Sequence, residues 1–590
     1  MSDELALEEE FAQAQLTRKT YNRAMSYIRP YRWKVIISVI LEVLWVGSTV
    51  LDVVFIKRIL DKVIPAKDLT MAAIICGAFV VNILLRYFIA LIEVRLLYSS
   101  GMRMLNDIRI DVFRKIESLH MGYFDKTKEG RIIARADRDV DTLEPLLVWG
   151  PTWLMNCVTY IIYAVTMMAV YDWRLCLIVM IPFPVLIVIM NLFRIKGMTA
   201  YRTIREALSR ISSYLAETIN GIRIIKAFGR ERDFLSRFGV IKDEYRKTVV
   251  KQVLVWNIFY PAINIINAVA TILILVFGGM YFFQGQISVG TLVAFLMFLG
   301  MFFGPIEGLS NLYNVLLSAA AAAERIFLLL DTESKIREKK SASELPSVMG
   351  KVEFRKVDFR YDKKTDWILK DIAFTASPGD CVALVGHTGS GKTSILSLII
   401  RFYENEKGHV IIDDKEVKDL KLSSLRKNVG IVLQDNFLFS GTVMENLKYG
   451  RPDISDAEVK RKSAELGSDE VIRNLDKGYN TQVRERGAGI SIGERQLICL
   501  TRVFIANPAI IILDEATSSV DTKTEKIIQV AMQKILKHRT TFIAAHRLST
   551  IRNADKILVI DKGRIVEQGD FNGLMRKKGY FTKLYKTYTR

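Results

Sequence analysis

A helical membrane domain of six spans, followed by an α/β phosphate-loop domain, is the multi-domain fold class that this sequence of 590 residues predicts. Three observations predict it. Hydrophobic residues make up 50% of the chain and its mean hydropathy is +0.21, high for a soluble protein of this size. The long apolar runs are confined to the first half. The segment GHTGSGKT, Gly386 to Thr393, has the glycine, lysine and hydroxyl spacing of a phosphate-binding loop.

The apolar runs come first. Six are long enough to cross ~30 Å of hydrocarbon as helices. They lie near Val35–Ile56, Met71–Ile92, Leu147–Val170, Leu175–Phe193, Val255–Phe283 and Thr291–Leu309. The links alternate in length. The second-to-third and fourth-to-fifth links are long, helical in pattern and rich in Lys and Arg, as is TRKTYNRAMSYIRPYRWK before the first run. Basic segments stay in the cytoplasm, so both termini, both long links and the soluble half are expected inside. The first short outer loop, IKRILDKVIPAKD, also carries cations, several of which fit at a helix end. The N-terminus MSDELALEEEFAQAQ is acidic and helical in pattern, unlike a cleavable signal peptide.

The net charge of +20 fits cytoplasmic loops beside anionic lipid. Nucleic acid is excluded as a partner, because no basic patch with interleaved aromatic residues is present. The five cysteines form no CxxC pair and read as ordinary buried thiols. Within or beside the spans, Glu42, Asp52, Arg86, Glu93, Arg95 and Glu307 need partners or water. Pairing near helix ends is the plainer reading, and a polar translocation cavity the sharper one. Glu42 is the hardest to explain by pairing alone.

The expected domains are a cytoplasmic segment 1–31, a membrane domain 32–325, a linker 326–350 and a soluble domain 351–590. In the last, KVEFRKVDFRY alternates like a half-buried strand, and CVALVG and IIILD are short apolar strands with helical stretches between. That is an α/β pattern with a parallel core.

CVALV feeds the phosphate loop, and SILSLIIRFY continues it as a helix. Glycines let the backbone curl so that its N–H groups surround phosphate oxygens, and the helix N-terminus adds positive potential. The candidate nucleotide-binding set is Gly386, His387, Thr388, Gly389, Ser390, Gly391, Lys392, Thr393 and Ser394. Lys392 reaches the terminal phosphates, and the Thr393 hydroxyl ligates Mg2+. His387 stands at a variable position of the loop, where its plain reading is a solvent-facing side chain. The strand IIILD ends in Asp514, placed to hold Mg2+ through water, and Glu515, placed to orient or deprotonate the attacking water.

On these residues the soluble half resembles the nucleotide-binding domain of an ATP-binding cassette (ABC) transporter, over its whole length and in order. The resemblance implies ATP and Mg2+ as cofactors. It implies that Tyr361 stacks on adenine, that Gln434 touches the metal, that Asp521 sits in a loop crossing a dimer interface, and that His546 contacts the terminal phosphate. The membrane half resembles the exporter type with fused domains. FDKTKEGRIIARADRDVDTL looks like its first coupling segment and ETINGIRIIKAFGRE like its second. By the same resemblance the chain is an integral protein of a bacterial inner (cell) membrane.

In that family each ATP lies between the phosphate loop of one chain and the signature segment of another, so this half-transporter is expected to dimerise. The family signature Leu-Ser-Gly-Gly-Gln is replaced here by Ile490-Ser491-Ile492-Gly493-Glu494. Ser491 and Gly493 are kept. Ile492 adds a branched side chain, Glu494 brings a carboxylate toward a triphosphate unless bonded, and Arg484 stands where glycine is usual. With Glu515 and His546 intact, the chain looks like the catalytic-glutamate member of a heterodimer with one active and one degenerate ATP site. A homodimer with tolerated drift is the alternative partner. The expected activity is ATP hydrolysis driving export of amphipathic compounds, small-molecule multidrug or lipid in type, across the lipid bilayer by alternating access. A peptide exporter, a nucleotide-gated channel and a regulatory subunit are the alternatives.

Overall fold

A computed structural model describes residues 18–345, 348–363, 365–433, 435–514, 522–544 and 551–588. The chain divides into two compact units, the first of residues 1–117 and 130–332, the second of 118–129 and 333–590.

The first unit is helical and holds six candidate spans: Arg29–Ala66, Leu69–Ser118, Glu129–Tyr171, Trp173–Leu192, Pro261–Phe283 and Val289–Ile306. Each overlaps one apolar run. Several of the helices carrying them outrun any bilayer. Leu69–Ser118 has 50 residues, on the order of 75 Å of helix. Phe183–Asn220 and Glu231–Leu273 likewise continue into the segment between the fourth and fifth spans, and Val289–Asp331 runs on past the sixth. The long links are therefore extensions of the spans themselves. The last helix reaches Asp331, through the first residues of the segment read as linker.

Two of the acids within the spans have polar partners. The Asp52 carboxylate accepts from Arg86 at 2.5 Å and from Asn82 at 2.9 Å, while Asn82 also bonds the backbone carbonyl of Ser48. Glu42 is buried and accepts from the Asn156 amide. Glu93 is buried, and the Glu307 side chain lies outside the described residues. The charges of the first outer loop have a structural use. Asp61 accepts from Lys57 at 2.7 Å, from the Ser288 hydroxyl at 2.6 Å and from the Gly290 amide at 2.7 Å, which fastens it to the start of the sixth-span helix.

The second unit is built on a six-stranded sheet and a four-stranded antiparallel one. The strands are β1 (Val352–Phe359), β2 (Leu369–Ala376), β3 (Cys381–Val385), β4 (Lys407–Ile412), β5 (Lys415–Glu416), β6 (Val429–Val432), β7 (Gly441–Thr442), β8 (Gln482–Val483), β9 (Ile510–Asp514), β10 (Thr540–Ala544), β11 (Lys556–Asp561) and β12 (Arg564–Gly569). The larger sheet has the order β12-β11-β3-β10-β9-β6, parallel except for β12. Its central strands β3, β9 and β10 are almost wholly buried because both faces are covered, whereas the edge strand β12 is not. Val382, Leu384, Ile510, Ile512 and Phe542 enter one core, toward the smaller sheet. The alternating Ala383, Val385, Ile511, Leu513 and Ile543 enter the other.

The smaller sheet, β2-β1-β4-β5, has a bulge that the alternation in KVEFRKVDF does not announce. Lys356 adopts φ 47°, and the buried set passes from Val352 and Phe354 to Val357 and Phe359. One extra residue keeps both pairs of side chains on the core face.

Candidate functional site: a phosphate loop gripped by an upstream segment

β3 ends in the loop Gly386–Gly391, and the helix Lys392–Ile399 begins directly after it. A Cβ on Gly386 would collide with the Ile560 carbonyl, so the loop can turn this close to β11 only with glycine. Gly391 has φ 111°, and a Cβ there would lie 2.7 Å from the Leu369 side chain. Lys392 is 7% exposed. Its ammonium donates to the Gly386 carbonyl at 2.6 Å and the His387 carbonyl at 3.1 Å, closing the loop on itself. Burial lowers its pKa, and the nearby Asp514 carboxylate pulls the other way. The Ser390 hydroxyl is buried without a hydrogen-bond partner. A cradle with one orphaned hydroxyl and a folded-back ammonium fits a phosphate chain, which would satisfy both. Thr393 is exposed at its rim, Asp514 stands at the tip of β9, and Thr388 and His387 point to solvent. Thr393 and Asp514 are the described residues that would hold Mg2+, whose charge would offset that of the phosphates.

Tyr361 lies beside the same helix. Its hydroxyl shares a 2.8 Å hydrogen bond with Ser394 Oγ, and its ring meets those of Phe359 and Tyr403 edge-on, each at 4.9 Å. It is 37% exposed, which leaves a face open to a purine ring. Gln434, Glu515, Asp521 and His546 lie outside the described residues.

The signature segment is well formed. Ser491 caps the helix Ile492–Ala506 in a reciprocal capping box. Its hydroxyl accepts from the Glu494 amide at 3.3 Å, and the Glu494 carboxylate accepts from the Ser491 amide at 2.8 Å. The carboxylate that looked hostile to a triphosphate is thus bonded at a helix N-terminus, where negative charge is favourable. Ile490 is buried in a separate core cluster and Gly493 is buried, while Ile492 is 47% exposed and Arg484 is exposed.

The first coupling segment was read from the sequence, but not its partners beside Tyr361. Residues 118–129 belong to the second unit although both chain neighbours belong to the first. Their helix Met121–Lys126 bonds the nucleotide domain at two points. The Tyr403 hydroxyl donates to the Asp125 carboxylate, and Lys126 pairs with Asp362 at 2.5 Å. Tyr403 and Asp362 both adjoin Tyr361, by ring contact and by chain. Gly122 fits beneath, since a Cβ there would meet the Tyr403 ring at 3.0 Å. The second segment, with its helix Ile222–Phe228, belongs to the first unit and leaves Ile224 66% and Phe228 76% exposed.

Comparisons with known proteins agree with this architecture. The family described as ABC transporter transmembrane region matches residues 35–306, and the one described as ABC transporter matches 369–518. The chain is 37% identical to the uncharacterized ABC transporter ATP-binding protein YknV of Bacillus subtilis (strain 168), over 99% of this chain and 96% of that one. It is 35% identical to the fatty acid ABC transporter ATP-binding/permease protein of Mycobacterium bovis, over 83% of this chain and 78% of that one. The structure of a bacterial Atm1-family ABC exporter with ATP bound superposes with a TM-score of 0.77 at 25% identity, covering 95% of this chain and 99% of that one.

Proposed function

This chain belongs to the ABC transporter family, as an ATP-hydrolysing exporter with fused membrane and ATP-binding domains, and from that premise we propose that it exports amphipathic compounds, multidrug or lipid in type, as the catalytic-glutamate half of a heterodimer. The observation that carries the pairing is the contrast within one domain. The phosphate loop is complete, with Lys392 and Asp514 in place, while the signature carries Ile492 half-exposed at its helix start. This chain's own ATP would be held by the complete half. Its signature would serve the ATP of the other chain, and serve it less well. The exposed Ile224 and Phe228 of the second coupling segment support a second chain, since an apolar tip of that kind favours a covering partner.

For the cargo, Phe295, Phe298, Phe302 and Phe303 with Met168 form a buried aromatic and thioether-rich core among the spans, side chains that would adapt to varied apolar shapes if movement of the spans uncovered them. The relative named for fatty acids supports the lipid side of this reading. ATP can drive closure only because it binds the closed arrangement better than the open one.

Purification of the tagged chain from its native host tests the pairing. A distinct half-transporter is expected to co-purify, and Glu515→Gln in this chain should then stop nearly all turnover while ATP still binds. A self-pair with two equally active sites would overturn it. One observation favours that second reading: the capping box holds Ser491 in place in spite of the altered spelling.

A further inference from the structure

We propose that the second unit carries, apart from its ATP site, a pocket for a soluble small molecule bearing two or more phosphoryl groups. The pocket has a volume of about 420 Å³ and is lined by Glu333, Ser334, Lys335, Arg337, Lys339, Arg401, Glu404 and Lys418. Five cations face two carboxylates, a formal balance of +3. Its size is that of a small-molecule site and exceeds the needs of a single ion.

The cations are arranged as a comb. Lys335, Arg337 and Lys339 occupy alternate positions of a segment that forms no helix, and all three line the pocket. The residues between them are turned to other uses. Ile336 is buried, and Glu338 accepts from the Leu422 amide at 2.6 Å. Three long, flexible cations from these positions can converge on several anionic groups of one ligand, more charge than a single phosphate needs. Lys418 faces the comb from the body of the domain.

The floor is rigid. Arg401 is 2% exposed and is held by Glu404 at 2.7 Å, by the Leu420 carbonyl at 3.0 Å and by the Arg337 carbonyl at 3.2 Å. The comb itself is loosely engaged. Arg337 pairs with Glu333 and Lys339 with Asp419, both pairs largely in solvent, where an ion pair is worth about 0–1 kcal/mol and is easily exchanged for phosphate. Among the described residues Lys335 has no ion-pair partner.

The location gives an occupant leverage. Arg401 follows the helix Lys392–Ile399, whose other end is the phosphate loop. The Lys335 amide donates to His120 Nδ1 at 3.3 Å, so the comb is bonded to the upstream segment that grips the adenine side. A ligand spanning the comb and Lys418 would hold the linker against both.

Calorimetry with inorganic triphosphate, without Mg2+, at physiological salt tests this on the full chain with its native partner. Lys392→Ala, with the matching phosphate-loop lysine of the partner also changed to alanine, is placed in the background so that neither phosphate loop can take the probe. One binding equivalent per chain is expected, weakened at least tenfold when Lys335→Ala, Arg337→Ala and Lys339→Ala are added. These three side chains are exposed, so the variant should fold, and an unchanged melting temperature would verify that. Equal stoichiometry and affinity with and without the comb would overturn the proposal. In nanodiscs, affinity that is the same in phosphatidylglycerol and phosphatidylcholine supports a soluble ligand. Loss confined to phosphatidylglycerol would hand the pocket to lipid headgroups and overturn it.

Discussion

The Tyr403 hydroxyl donates a hydrogen bond to the Asp125 carboxylate, joining the residue that packs on Tyr361 to the helix Met121–Lys126. Burial and the carboxylate both raise the Tyr403 pKa, so the phenol keeps its proton at any physiological pH. Tyr403→Phe would keep the ring contacts and lose about 1 kcal/mol of charge-assisted bonding, at the low end because the pair is partly in solvent. We expect basal ATPase and ATP affinity to change less than about 3-fold, as the ring stays beside Tyr361, and transport-stimulated ATPase to fall further. Asp125→Asn, which retains an acceptor, should be milder. Basal and stimulated turnover measured side by side check this.

His120 is a pH-sensitive point of the same grip. Burial lowers its pKa, with Lys335 and Lys126 adding to the effect, and its Nδ1 must be unprotonated to accept from the Lys335 amide. A folded pKa below the unfolded one means stability that is present above the unfolded value, about 6.5, and lost as pH falls through the folded value. The melting temperature should therefore decline below about pH 6.5 more steeply in wild type than in His120→Gln. Parallel slopes for the two would refute the assignment.

Glu494 can be separated into its charge and its cap. Glu494→Gln preserves the capping box and removes the charge, so it should cost only the helix-dipole contribution, about 0.3–1 kcal/mol, and, if the charge weakens the partner's ATP site, raise ATPase of the pair. Glu494→Ala breaks the box at a cost of about 1 kcal/mol, or about 2–4 °C in melting temperature. Scanning calorimetry and ATPase of both variants distinguish the two contributions.

Glu42 offers the corresponding test in the membrane domain. Glu42→Gln keeps an oxygen for the Asn156 amide and deletes the negative charge. If Glu42 lines the translocation cavity, vesicle transport of cationic amphipaths should fall about 10-fold more than that of neutral ones, roughly 1.4 kcal/mol, with assembly intact. Equal loss of assembled protein and of transport would leave it a packing residue.

Much of this was legible because it is local. The six spans follow from run length, and the phosphate loop from eight consecutive residues between a strand and a helix. The capping box was also written in the sequence, as Ser-x-x-Glu over 491–494, but the resemblance to a signature drew attention to the substituted residues and away from that spacing. The bulge at Lys356 was invisible, because alternation reports a face and not the extra residue that preserves it. Nothing in the sequence pairs Asp125 with Tyr403 or assembles the comb with Arg401. Those contacts depend on three-dimensional packing, and the charges involved look like ordinary solvated surface.

The Asp125–Tyr403 bond spans 278 residues of chain. A ribosome adding about 5–20 residues per second needs roughly 15–60 s to make that distance. For that interval the upstream helix has been synthesised and its platform has not. Tyr123 and Phe124, half-buried in the finished protein, must wait uncovered while four further spans are made. The order of synthesis therefore makes the grip one of the last features to form, and a chain halted before residue 403 could hold all six spans and still lack the partner of Asp125.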